Sequence, residues 1–275
     1  MPFPSTTSTP TPPPQRPATL PMPLVDPVTM SSTISKGTAA QAQASPQTTR
    51  LAPVQITQTP VAQSARHALP TLLAGLFVVR FRALVADPVS AMSTTLPLAA
   101  ALQVAYAVVC LPVAGSQGAK AARKPRPGEK KRAGNDGATG PNAIVTSLLS
   151  LILTLLVTPC LYVVMVLFGA PFLTHRAHTL LCAAHLAVLA LFPLFYVHGV
   201  DGSAWAVVGG FSAPFDETFG GLVGGLVGAW LGAVPIPLDW DREWQKWPVT
   251  IMCGLYGGYV LGRVLGGSLG WGKRF

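Results

Sequence analysis

The spacing of glycine in one apolar stretch limits what this chain can fold into. Residues 219–247 read FGGLVGGLVGAWLGAVPIPLDWDREWQKW. Gly220, Gly224, Gly228 and Gly232 recur at every fourth place, with Gly221, Gly225, Ala229 and Ala233 as a second row beside them. Residues four apart share one face of a helix. In water each internal glycine would cost about 1 kcal/mol relative to alanine. In a bilayer the backbone has no water to bond and stays helical, and small side chains let another helix come close. The row is therefore expected to be a docking surface for a second membrane helix.

Pro235 and Pro237 end that helix, because each lacks an N–H and disfavours helical geometry before it. Trp240, Trp244 and Trp247 follow among alternating charges. Indole, with its apolar body and polar N–H, suits the boundary between bilayer and water. A helix from Val249 repeats the stripe at Gly254, Gly258, Gly262 and Gly266. The pattern predicts a tight hairpin of two membrane helices. Its faces either pack on each other or take an outside chain. The expected partner-binding set is Gly220, Gly224, Gly228, Trp230, Gly232, Gly254, Gly258 and Gly262.

The rest of the 275 residues fits a membrane protein. Half are apolar and only 11% are charged, which points to an all-α, polytopic chain. Apolar runs near 69–86, 95–114, 143–168, 179–197, 219–236 and 249–267 predict about six spans. Residues 1–66 hold thirteen of the twenty-seven prolines and are expected to form a disordered tail, since they cannot bury enough apolar surface to offset ordering. Residues 67–275 form the membrane domain. It is interrupted by a charged, Gly/Pro-bearing loop at 115–142, also expected to be disordered.

The net charge of +9 is clustered rather than spread over a face. Seven of nineteen basic residues lie between Lys120 and Arg132, with no aromatic platform for a nucleic acid. Next to membrane helices such a run marks the cytoplasmic side. Both termini then share that side, and the 238–247 loop faces the lumen or exterior. Arg80, Arg82 and Arg263 fall within spans, where a charge needs a partner or a route to the interface.

Little in the sequence reads as a reaction centre. Asp239, Asp241 and Glu243 alternate on one loop and could hold a hard cation, joined by His175 or His178. Arg242 and Lys246 on the same loop can neutralise them. There is no GxSxG motif and no phosphate-cradling loop followed by lysine. No catalytic residue, metal ligand or cofactor is assigned. A lipid-modifying enzyme using the acidic loop, and a lipid transporter using the three span arginines, stand as alternatives.

The run VGAWLGAVPIPLDWDREWQKWPVT resembles the C-terminal signature of the PIG-F family of glycosylphosphatidylinositol (GPI) anchor biosynthesis. The matching loop residues are Pro235, Ile236, Pro237, Leu238, Asp239, Trp240, Trp244, Gln245, Trp247 and Pro248, with Asp241 inside the same motif; LFGAP at 167–171 is a weaker echo. The resemblance implies a multi-pass subunit of the endoplasmic-reticulum membrane that does no chemistry itself. It would bind and stabilise the large ethanolamine-phosphate transferases that add phosphoethanolamine to GPI mannoses. Its partners would be those subunits and membrane lipid, the GPI precursor included.

Overall fold

The computed structural model describes residues 51–116, 142–238 and 240–274, and all its long elements are helices. The expectations for residues 1–50, for the basic cluster within 117–141 and for Asp239 concern positions outside the described residues.

Helix α1 (Pro60–Ala86) starts where Thr59 accepts the Ala62 N–H (3.2 Å), with Pro60 at the first position. Proline is well placed there, because its missing N–H would have been unpaired anyway. Asp87 ends α1 and also caps α2 (Pro88–Cys110) by accepting the Ser90 N–H at 3.3 Å. The two helices are thus separated by one residue. The expected starts, 69 and 95, were each too late, because hydropathy averages dilute the polar first turns that the caps sustain.

The upstream boundary shifts as well. Residues 51–58, grouped by composition with the tail, form an extended segment with Val54 and Ile56 buried. The Val54 N–H donates to Asp216 Oδ2 (2.9 Å) and the Thr57 N–H to Cys110 O (2.9 Å). Two apolar side chains and two long-range hydrogen bonds hold this segment down, so the tail cannot extend to 66.

Helix α3 (Ala143–Leu167) is capped by Asn142. Its buried residues are Ser147, Ser150, Thr154 and Thr158, while Leu155, Leu156 and Ile152 point outward. Each hydroxyl returns its hydrogen to a carbonyl three or four residues back. A small, self-satisfied face inside and large aliphatics outside suit a helix surrounded by lipid. Helix α4 (Arg176–His198) is the most enclosed, and passes through one π-helical turn at Ala187–Leu191. A short helix α5 (Gly202–Gly209) occupies the connection that follows. Helices α6 (Glu217–Ala233) and α7 (Val249–Gly266) form the C-terminal hairpin.

Helices α1, α2, α3, α4 and α7 are each long and apolar enough to cross a membrane. Helix α6, at 17 residues, sits at the short end of the spanning range and makes six. The core lies between α4, the hairpin and the inner faces of α1 and α2, with Phe192, Leu189, Tyr256, Tyr259 and Met252 fully enclosed.

Candidate functional site

The hairpin seam is built from backbone. The glycine row of α6 meets that of α7 directly. A methyl group at Gly224 would overlap Gly258 O and stand 2.7 Å from Gly262 Cα. At Gly228 it would strike Gly254 O and lie 2.8 Å from Gly258 Cα; at Gly232 it would strike Thr250 O. Gly220 faces Gly262 and Gly266 in the same way. The second row looks elsewhere: Gly221 is covered by the Tyr259 ring and Gly225 by Leu255.

Of the two arrangements open to the glycine faces, packing on each other is the one observed. Gly220, Gly224, Gly228, Gly232, Gly254, Gly258 and Gly262 are filled by one another, which leaves no room there for a third helix. Trp230, grouped with them, lies on the outer side of α6 and is 65% exposed. Periodicity found the faces, but only the fold shows what covers them.

At the open end of the hairpin lies a charged cluster that the sequence reading missed. Asp216 caps α6 by accepting from the N–H groups of Thr218 (2.8 Å) and Phe219 (3.0 Å). Glu217, next along, is buried. Its Oε2 accepts from Arg263 Nη2 (2.6 Å) and from the Tyr106 hydroxyl (3.3 Å), and its Oε1 pairs with Arg66 Nε. Arg66 also donates to Gly267 O (2.8 Å). The Arg263 guanidinium lies 4.0 Å from the Tyr106 ring centre, a cation–π contact that desolvation strengthens. An acidic residue opening one apolar helix and an arginine in the last turn of the next was the available signal, since ionisable groups in membranes pair with each other.

Arg80, His185 and Gln103 within the spans also find partners. Arg80 donates to the hydroxyls of Thr94 and Thr95 on α2. His185 contacts the Tyr256 hydroxyl through Nδ1 (2.9 Å) and Met92 O through Nε2 (3.1 Å). A carbonyl only accepts, so Nε2 carries a proton. Gln103 donates to the Tyr259 hydroxyl at 2.8 Å.

The closed end carries the tryptophan loop. Gln245, one of the residues that carry the family resemblance, organises it: its Nε2 donates to Pro235 O (2.8 Å) and Leu238 O (2.7 Å), and its Oε1 accepts the Arg242 N–H (3.0 Å). Three bonds from one side chain fix the path from Pro235 to Gln245. Trp240 is 52% exposed and its ring sits 5.7 Å from that of Trp244. Trp247 is half-buried ahead of Pro248, which is buried, while Pro237 and Asp241 are exposed. Lys246 Nζ binds Glu243 Oε2 (2.8 Å), and this hydrogen bond holds the Glu243 carboxyl below the usual glutamate range. His175 and His178 meet edge to face, 5.0 Å apart, beside α4. Among the described residues no three His, Cys, Asp or Glu side chains are placed to hold a metal ion together.

The helices and their lipid-suited outer faces define a polytopic helical membrane protein. The family model described as "GPI biosynthesis protein family Pig-F" matches residues 68–267, so it runs from the third turn of α1 to the end of α7. The chain belongs to that family, and its place is in GPI-anchor biosynthesis. It is 62% identical to glycosylphosphatidylinositol anchor biosynthesis protein 11 of Neurospora crassa, over 92% of this chain and 100% of that one. It is 52% identical to the protein of that name in Pyricularia oryzae (90% and 96% covered). Against that of Aspergillus fumigatus the identity is 47% (78% and 82% covered). No solved structure matches the chain.

Proposed function

We propose that this chain is a non-catalytic membrane subunit that binds and stabilises GPI ethanolamine-phosphate transferase subunits in the endoplasmic-reticulum membrane. The tryptophan loop, on the lumenal side, is its presenting surface. The observation that carries this reading is the loop's construction. Gln245 ties the backbone at three points while Trp240 and Trp230 stay more than half exposed. Large aromatic side chains on a pre-ordered backbone lose little entropy on binding and are over-represented among residues that dominate interfaces. With the glycine rows spent on each other, contact with a larger subunit falls to this loop and the outer side of α6. Both termini and the 115–142 loop face the cytoplasm on this reading.

The test is recovery of the epitope-tagged transferase subunit with this chain from detergent-solubilised membranes. Gln245→Ala, and Trp230→Ala with Trp240→Ala, should each reduce co-purification at least about fivefold, as loss of about 1 kcal/mol or more implies. The amount of this chain should be unchanged. Undiminished recovery of the transferase in both variants would overturn the proposal.

A further inference from the structure

A cleft of about 270 Å³ opens at the end of the bundle where α1 and α6 begin and α7 ends. Arg66, His67, Glu217, Arg263 and Ser268 line one part of it, and Pro70 and Val264 the rest. A second cleft, of about 310 Å³, shares Arg66 and Gly267 with the first. Arg66 therefore stands in the wall between two openings.

The charge in this cleft does not balance. Two guanidiniums face one carboxylate, and both oxygens of Glu217 are already taken by Arg66 and Arg263. The nearby Asp216 has its oxygens occupied by the Val54 N–H, the Thr218 N–H and hydroxyl, and the Phe219 N–H. Lys273 and Arg274 add positive charge at the same end. Arg263, 1% exposed, keeps its Nη1 buried without any hydrogen-bond partner. A buried donor on a cation is rarely left without an acceptor. Arginine's planar fork suits phosphate oxygens, which it can engage in pairs.

We infer that this cleft binds the phosphate group of an anionic phospholipid, with the accessible Arg66 as the anion-binding residue, the buried Arg263 adding positive charge behind it, and His67 at the mouth. The lipid source follows from the lining. Charged groups occupy one side, and Pro70 and the half-exposed Val264 the other, as an amphiphile at a membrane surface requires. The volume equals roughly nine waters, enough for a phosphodiester but not for acyl chains, which would run along the exposed outer sides of α1 and α7.

The purified full chain is titrated in detergent with phosphatidic acid, phosphatidylcholine or inorganic phosphate, with native mass spectrometry reading bound lipid. Phosphatidic acid should bind at least about tenfold tighter than phosphatidylcholine, and the preference should weaken with salt. His67→Glu puts a negative charge at the mouth without touching the Arg66–Glu217–Arg263 pairs. It should lower phosphatidic acid affinity about tenfold, since a like charge within a few ångströms of the phosphate is poorly screened there, while the unfolding midpoint stays put. Arg66→Lys should retain more binding than Arg66→Gln. Equal binding of the two lipids, full binding by His67→Glu, or inorganic phosphate binding as tightly as the lipid would overturn the assignment.

Discussion

Adding one methyl group to the hairpin seam should separate its helices, whereas the same change one residue away should do nothing of the kind. At Gly258 an alanine Cβ would overlap Gly224 O and stand 2.8 Å from Gly228 Cα and 3.1 Å from Gly224 C. These neighbours are backbone atoms and cannot rotate aside. Relief requires the axes to move apart by roughly 1 Å, and a gap of that size forfeits about a quarter to a half of each dispersion contact it opens. Overpacking of this kind costs about 1–3 kcal/mol. The intrinsic helix preference of alanine over glycine, about 1 kcal/mol in water, offsets part of it. A net loss of up to about 2 kcal/mol is expected for Gly258→Ala, and a loss of about 1–3 kcal/mol relative to Gly257→Ala, which keeps the helix gain without the clash. At Gly257 nothing lies within 4 Å of the added methyl, so Gly257→Ala should be neutral or slightly stabilising. The assay is unfolding of the purified chain in mixed micelles against rising dodecyl sulfate, followed by circular dichroism. Equal midpoints for the two variants would refute the direct backbone-to-backbone seam.

Two further expectations follow from the charged groups. Glu217→Gln leaves two guanidiniums facing no carboxylate, and removing one member of a buried pair costs about 3–5 kcal/mol. Adding Arg263→Met should recover much of that loss, and strict additivity in the same assay would contradict the pairing. The exposed Glu243 carboxyl, depressed by Lys246, predicts a pH-dependent difference between the native chain and Lys246→Gln. A lowered folded pKa gives stability present above the ordinary glutamate value of about 4.3 and lost as pH falls through the lower folded value. The difference in unfolding midpoint should thus be present at neutral pH and vanish in acid; a difference that grows as pH falls would refute the contact.

What the sequence disclosed and what it withheld divide along physical lines. A four-residue repeat reports a helix face, so the glycine rows and the hairpin were legible. It does not report what lies opposite, so the rows could equally have met each other or an outside chain, and only the fold shows α6 and α7 filling each other. The Glu217 pairs join residues 46 and 151 positions apart, separations that no local pattern encodes. Thr59-Pro60 and Asp87-Pro88 did announce helix starts, but apolar averages outweighed them. Val54 and Ile56 alternate within a polar, proline-bearing stretch, and the composition of that stretch hid two buried side chains. Gln245 stood out as a motif residue, but its contacts were not legible. Its role depends on the turn at Pro235–Leu238 bringing two free carbonyls into reach.

The glycine rows also pose a problem that the hairpin's two ends solve. A seam with a small residue at every fourth place is nearly degenerate in register, because sliding one helix by a turn again sets glycine beside glycine. Packing alone therefore cannot select the observed pairing of Gly224 with Gly258 and Gly262 over its neighbours one turn away. At the open end the Glu217–Arg263 pair exists only in the observed register: a slide of α7 by one turn, about 5.4 Å, would strand Arg263 without its carboxylate in an apolar surround. At the closed end Gln245 sets the loop length by binding Pro235 O and Leu238 O, so the chain has no slack with which to slide. A buried polar contact that fixes alignment at some expense in stability is the best attested use of such groups. The charged cluster is thus required by the seam, and the tryptophans on the closed end are held at a fixed height relative to it.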